Sequence, residues 1–299
     1  MRKFVSLFVF LLLSNIAMAD GGRAGAFMRV GVDPVVMAMG FSGTTYAPSV
    51  SSSYWNPAIL GFNESNALTA SMTRLSMDRM LYYSLVAVNL GEAGGIGGGW
   101  IRGEVKDIDA RNTKGNKFDT FNYPQDGFLF SFGRSFGGIV GVGVTYVQHH
   151  YDLYDVKANG SQLNVGCLFD YKGFRAGFTI DNLYSNLDWD AVSMFGVGRN
   201  EKFPLRFRAG SGIRLLDGRL VSTGEVWFTR DVDTTYHLGA EVWASEDIVF
   251  RGGLNDGNFT MGGGLRFAMS KVKLNIEYSY IKDNLDVADG HSVAIVFLF

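Results

Sequence analysis

The sequence predicts an all-β fold, an antiparallel outer-membrane β-barrel of fourteen strands. Three observations predict it. From Ala67 to the C terminus, short segments alternate apolar and polar residues with period two, the pattern of strands with one greasy face. Most of them hold about the 9 to 11 residues that a tilted strand needs to cross a hydrocarbon core. The connections between them alternate short and long, as periplasmic turns and outer loops do in such barrels.

Composition narrows the alternatives. With 47% hydrophobic and 14% aromatic residues in 299, the chain is too apolar for disorder. Its 27 Lys+Arg against 29 Asp+Glu give no basic field for nucleic acid. The single cysteine, Cys167, excludes a disulfide framework and a multi-cysteine zinc site. Glycine is abundant at 39 while proline stands at only 5, which points to crowded sheet backbone rather than collagen or low-complexity linker.

Residues 1–19 read as a secretory signal peptide. Arg2 and Lys3 precede an apolar run over residues 4–13, and Ala17-Met18-Ala19 forms an A-x-A site cleaved before Asp20. The run is well short of the ~20 residues that span a bilayer, and no cysteine follows it to carry a lipid. The longest uncharged stretch beyond it, residues 34–63, is broken by Pro34, Pro48 and Pro57, so it cannot be a continuous apolar helix. An exported chain this apolar without a spanning helix is a soluble β protein or an outer-membrane barrel.

Residues 20–66 show no alternation, and strands begin at Ala67. The segments fall at 67–75, 79–90, 95–105, 127–135, 138–151, 161–170, 174–183, 204–215, 220–229, 234–244, 247–254, 259–269, 271–280 and 289–299. With the last strand ending on the periplasmic side, every long connection (106–126, 152–160, 184–203 and 281–288) falls on the outer side. The polar faces carry isolated charges, Arg206, Arg208, Glu225, Glu241, Arg251, Arg266 and Glu277 among them, which suit a hydrated or cross-paired lumen. Alternation alone does not say which face is turned inward. The final strand sets Val293, Ile295, Phe297 and Phe299 on one face, and a terminal aromatic strand resembles the signal read by the barrel assembly machinery. The expected site is the bacterial outer membrane, with its lipid as the surrounding partner.

Within residues 20–66 stand Ala38-Met39-Gly40-Phe41 and, further on, Tyr54-Trp55-Asn56-Pro57-Ala58-Ile59-Leu60. Here the chain resembles the PorV/PorQ family of outer-membrane proteins, relatives of FadL-type barrels, in which a Met-Gly segment leads to an Asn-Pro-Ala motif ahead of the first strand. The family's usual Gly after that motif is Ile59 here. The resemblance implies a barrel over residues 67–299 and an N-terminal hatch over residues 20–66, with Met39, Gly40, Trp55, Asn56, Pro57 and Ala58 as its motif. Physically, Asn56 can cap a short helix that opens on Pro57, since proline lacks only a donor that would be unpaired there. A doubly apolar segment 80–90 and a nearly side-chain-free 95–99 fit a wall that meets a packed plug. Two functions follow from the resemblance: a part in type IX secretion, meeting secretion proteins or secreted cargo, or passage of a hydrophobic small molecule.

No residue set stands out for catalysis, a cofactor or a metal. His149 and His150 are adjacent on a strand and so cannot chelate one ion; they read as surface rim residues. His237 shares a face with Glu241 but has no serine placed beside it. Residues 95–99 lack the Lys-Ser/Thr of a phosphate loop. Asp283, Asp286 and Asp289 are spaced by three rather than two, unlike a calcium loop. Cys167 alternates with Leu163, Val165 and Phe169 and so faces lipid.

Overall fold

The computed structural model describes residues 24–190, 199–269, 272–282 and 289–299. Residues 1–19, with the expected cleavage site, and the acids Asp283 and Asp286 lie outside the described residues. The strands in chain order are β1 (Ala67–Arg74), β2 (Arg79–Asn89), β3 (Gly95–Arg111), β4 (Lys117–Phe136), β5 (Val140–Leu153), β6 (Val156–Tyr171), β7 (Phe174–Asp190) and β8 (Arg199–Glu201). They continue as β9 (Arg206–Leu215), β10 (Leu220–Thr229), β11 (Thr235–Trp243), β12 (Ile248–Asn255), β13 (Asn258–Met269), β14 (Val272–Ile281) and β15 (Gly290–Leu298). Fourteen of these close into an antiparallel barrel, sealed where β1 pairs with β15 from Ala67 against Leu298 to Arg74 against His291. The short β8 adds to the far end of β7, outside the ring.

The burial pattern settles which face is turned inward. On β1, Thr69 and Thr73 are fully buried while Leu68 and Met72 are exposed. On β5, Val140, Val142, Val144 and Tyr146 are all exposed. On these strands small and polar residues therefore point into the barrel and large apolar ones point out, the inverse of a soluble sheet and the arrangement that hydrocarbon demands, while on β2 Leu81, Tyr83 and Leu85 are also buried inside. Val293, Ile295, Phe297 and Phe299 belong to this outward belt. Cys167 is exposed with them.

Two of the expected outer loops are ladder rather than loop. Residues 106–126 are mostly the upper parts of β3 and β4, and the connection expected at 152–160 shrinks to a turn at Tyr154 and Asp155. Beyond the membrane the two arms of a hairpin still bond to each other, but nothing selects greasy residues for one face, so alternation ends before the strand does.

The described hatch, residues 24–66, folds inside the ring. It is a chain of single turns: Ala26–Val30, Pro34–Ala38, Ser49–Ser51, Ser52–Trp55 and Pro57–Phe62. Prolines open two of them, where their missing N–H costs nothing, and Asp33 and Asn56 cap those same turns by accepting from the Val35 and Ala58 amides. Such short helices are not stable alone and depend on what surrounds them. Here they share a core in which Trp55, Met37, Met39 and Leu60 are fully buried.

The hatch reaches β1 through Asn66, which exchanges backbone hydrogen bonds with Phe299 at 3.0 and 2.9 Å, at the end of the barrel that carries the short turns. That end is expected to face the periplasm. In a Cys167→Ser background, Asn116→Cys at the tip of the β3–β4 hairpin should react with an impermeant thiol reagent on intact cells, and Glu246→Cys should not. Labelling of Glu246→Cys alone would invert this topology.

Candidate functional site: the seat of the hatch

The hatch rests on a wall from which side chains have been removed. Gly95 pairs with Gly133, Gly133 with Gly143 and Gly143 with Gly166, so four strands set four glycines in one row. The turn Pro57–Phe62 lies along that row. A Cβ on Gly133 would stand 2.2 Å from the Pro57 carbonyl oxygen, one on Gly143 2.3 Å from the Pro57 carbonyl carbon, and one on Gly95 2.4 Å from the Leu60 oxygen. These neighbours are backbone atoms and cannot swing aside.

A second seat holds Met39-Gly40. Gly239 and Gly253 pair across β11 and β12, and a Cβ on Gly253 would lie 2.2 Å from the Gly40 nitrogen. Gly40 itself has φ 65° and sits against the Leu238 and Leu254 carbonyls, so both conformation and space exclude a side chain there. Its amide donates to Thr260 Oγ1 at 3.1 Å, and its carbonyl accepts from His237 Nδ1 at 2.9 Å. Because a carbonyl only accepts, the proton of neutral His237 is on Nδ1, which leaves Nε2 to accept from the Thr235 hydroxyl at 2.9 Å. His237 is thus a hatch anchor.

Asn56 ties the two parts together. Its Oδ1 accepts from the Ala58 amide at 3.0 Å, and its Nδ2 donates to the Thr44 carbonyl at 2.7 Å and the Cys167 carbonyl at 3.1 Å. One side chain therefore caps a turn, crosses the hatch and reaches the wall. Gly166 leaves it room, since a Cβ there would meet Asn56 Oδ1.

Six of the seven charges expected in the lumen enter two networks at the hatch. In the first, Arg208 is buried and bidentate on Asp181, with Nε at 2.8 Å and Nη2 at 3.0 Å, and Nη2 also donates to the Trp55 carbonyl at 2.5 Å. Arg206 adds a third contact to Asp181 at 2.9 Å. Glu225 accepts from the Thr44 amide at 2.8 Å, the Thr44 hydroxyl at 2.5 Å and the Trp227 indole at 2.6 Å. The second network centres on Arg251, which lies 2.6 Å from both Glu241 and Glu277, while Tyr46 of the hatch donates to Glu241 at 2.7 Å. The seventh, Arg266, stands exposed over the Trp243 ring at 3.7 Å.

His149 does not lie on the surface as its sequence position suggests. It is fully buried, bonded to Gln162 at 3.1 Å and stacked on Phe203 at 4.5 Å, while His150 on the opposite face bonds Asn159. Asp181, Thr44 and Tyr46 were not singled out either. Asp181 carried a signal, being two and six residues from Thr179 and Arg175 on the same face of β7. Asp289 accepts from Tyr280 at 2.7 Å. Among the described residues, no group of three His, Cys, Asp or Glu is arranged to hold a metal ion.

No protein-family model and no curated protein matches the chain. Solved structures do. The toluene transporter TodX of Pseudomonas putida superposes with a TM-score of 0.60 at 11% identity, covering 90% of this chain and 97% of that one. The CymD monoaromatic hydrocarbon channel gives 0.57 at 16%, over 90% and 97%. A FadL homologue of Pseudomonas aeruginosa gives 0.56 at 10%, over 89% and 97%. At such identities the likeness is one of fold: a fourteen-strand antiparallel barrel like those of FadL-type channels. Membership of the PorV/PorQ branch goes beyond that likeness.

Proposed function

We propose that the chain is a non-enzymatic outer-membrane channel for a hydrophobic small molecule, with the hatch as its gate. The observation that carries this reading is the filling of the lumen. A general pore for hydrophilic solutes presents free charge to a water-filled bore, whereas here six of those seven charges are engaged by one another and by Thr44, Tyr46 and Trp55 of the hatch. The space they surround is packed with Trp55, Met37, Met39 and Leu60. Solutes that pass such a plug are ones that can replace apolar contacts rather than water. The likeness in fold to a toluene transporter and a hydrocarbon channel supports the same reading. It is preferred to the secretion role implied by Met39-Gly40 and residues 55–60, because the contacts of Gly40 and Asn56 with the wall support a part for that motif in holding the hatch.

Vesicles bearing the purified chain test it. Toluene entry should exceed that of empty vesicles several-fold, with no gain for maltose. Equal gains for both, or for neither, would contradict the reading.

A further inference from the structure

On the strands that close the barrel the hatch meets oxygen atoms instead of glycines. Tyr83 pairs with Ser71, Ser71 with Ala294 and Ala294 with Glu277, so β2, β1, β15 and β14 set two hydroxyls and a carboxylate in one inward row. The turn Ser49–Ser51 lies over β1 and β2, and the turn Pro34–Ala38 lies over β13 and β14. Asp33 opens the second of these turns. Its carboxylate is close enough to Tyr83, Glu277 and Arg251 to act on each of them through space.

These oxygens are not spent on one another. Asp33 Oδ1 accepts from the Val35 amide at 2.9 Å, but Asp33 Oδ2, Ser71 Oγ and Tyr83 OH have no hydrogen-bond partner among the described residues. Asp33 is 1% exposed, Tyr83 2% and Ser71 9%, so water does not serve them from outside. Charge is out of balance as well. Glu241 and Glu277, both buried, share Arg251 at 2.6 Å, and Arg266 acts on the same two glutamates from the exposed mouth. The negative charge left over is that of Asp33, and a buried ion without a close counter-ion is costly. Asp33 also holds φ 76°, a conformation that burdens any residue with a side chain. Capping alone does not account for it, because asparagine would cap the turn as well without the charge.

We infer that this compartment is a binding site for one monovalent alkali cation, sodium before others, held between Asp33 and Glu277 with the Ser71 and Tyr83 hydroxyls as neutral ligands. A donor set made only of oxygen suits a hard cation and not a soft transition metal. Two carboxylates, one of them already shared with Arg251, fall short of the six to eight oxygens that calcium takes. The ion supplies the positive charge that Asp33 lacks and ties the turn Pro34–Ala38 to β1, β2 and β14. It is therefore a lock on the hatch, and it stands apart from what the channel carries.

The test uses the full chain in detergent, with radiolabelled sodium as probe in equilibrium dialysis and choline chloride holding the ionic strength constant, so that general screening is the same throughout. The wild type should take up one sodium ion per chain in a saturable way. Asp33→Asn keeps an acceptor for the Val35 amide and removes the charge, and it should take up none. Tyr83→Phe, which loses only a hydroxyl, should weaken uptake several-fold. Because an ion bound only by the folded state stabilises it, the temperature at which the folded band disappears should be higher in sodium than in choline for the wild type and equal in the two for Asp33→Asn. A folded wild type without saturable uptake, or a folded Asp33→Asn that retains it, overturns the site. Should Asp33→Asn not fold, unchanged uptake by Tyr83→Phe does the same. Calcium that displaces sodium at equal concentration overturns the monovalent assignment. A transition that rises on acidification alike in both salts gives the missing charge to a proton and overturns the cation.

Discussion

Arg208→Ala is expected to loosen the hatch more than any other single substitution of a lumen charge. The guanidinium is buried, holds Asp181 by two bonds, reaches the Trp55 carbonyl and lies 5.6 and 5.8 Å from the Trp55 and Trp227 rings. Removing one member of a buried ion pair leaves the other charge without its partner, which costs about 3 to 5 kcal/mol. Arg206 still contacts Asp181, so the lower end of that range applies. Arg208→Lys should recover little, because an ammonium lacks the planar fork that meets both oxygens of the Asp181 carboxylate in parallel while reaching the Trp55 carbonyl. The temperature at which the folded band disappears in semi-native gels should fall clearly for both variants. An unchanged transition would show that the pair does not hold the hatch.

Filling the glycine row should act from the wall side with a comparable effect. Gly133→Val together with Gly143→Val places branched side chains where the Pro57 carbonyl now lies, at 2.2 and 2.3 Å from the new Cβ positions. Overpacking of this kind costs about 1 to 3 kcal/mol per site when the neighbours can shift. Here the neighbour is backbone of a turn that Asn56 caps at its start and ties to the Thr44 and Cys167 carbonyls, so the turn must leave its seat. Both positions are inward, and valine is a good strand residue, so the barrel itself should still close. The expected signature is a folded barrel whose hatch has become sensitive to protease. A protease-resistant hatch in a folded double variant would mean that the glycines do not form its seat.

These two sites differ in how far the sequence revealed them. The charges were legible because each strand names its own polar face, as Arg206 and Arg208 do against Phe207 on β9. His149 was misplaced although β5 contained the answer. Val140, Val142, Val144 and Tyr146 fix the outward phase, which carried forward puts His150 out and His149 in. The glycine row was visible only where it fell within one segment, at residues 95–99. Gly133, Gly143 and Gly166 become neighbours through inter-strand register, which no single strand encodes. The Met39-Gly40 and Asn56-Pro57 pairs drew attention as motifs, but the carbonyls that crowd Gly40 and the three partners of Asn56 come from distant strands. Hairpin arms above the membrane were missed because no lipid selects their faces.

If residues 24–66 seal the lumen, single-channel conductance in planar bilayers should show it. A fourteen-strand barrel lies between the side-chain-filled eight-stranded and the water-filled sixteen-stranded cases, so its bore without a plug should pass ions. The wild-type protein should show almost no current, and the barrel lacking residues 21–62 should give long, steady openings. Steady porin-like current from the wild type would contradict the seal.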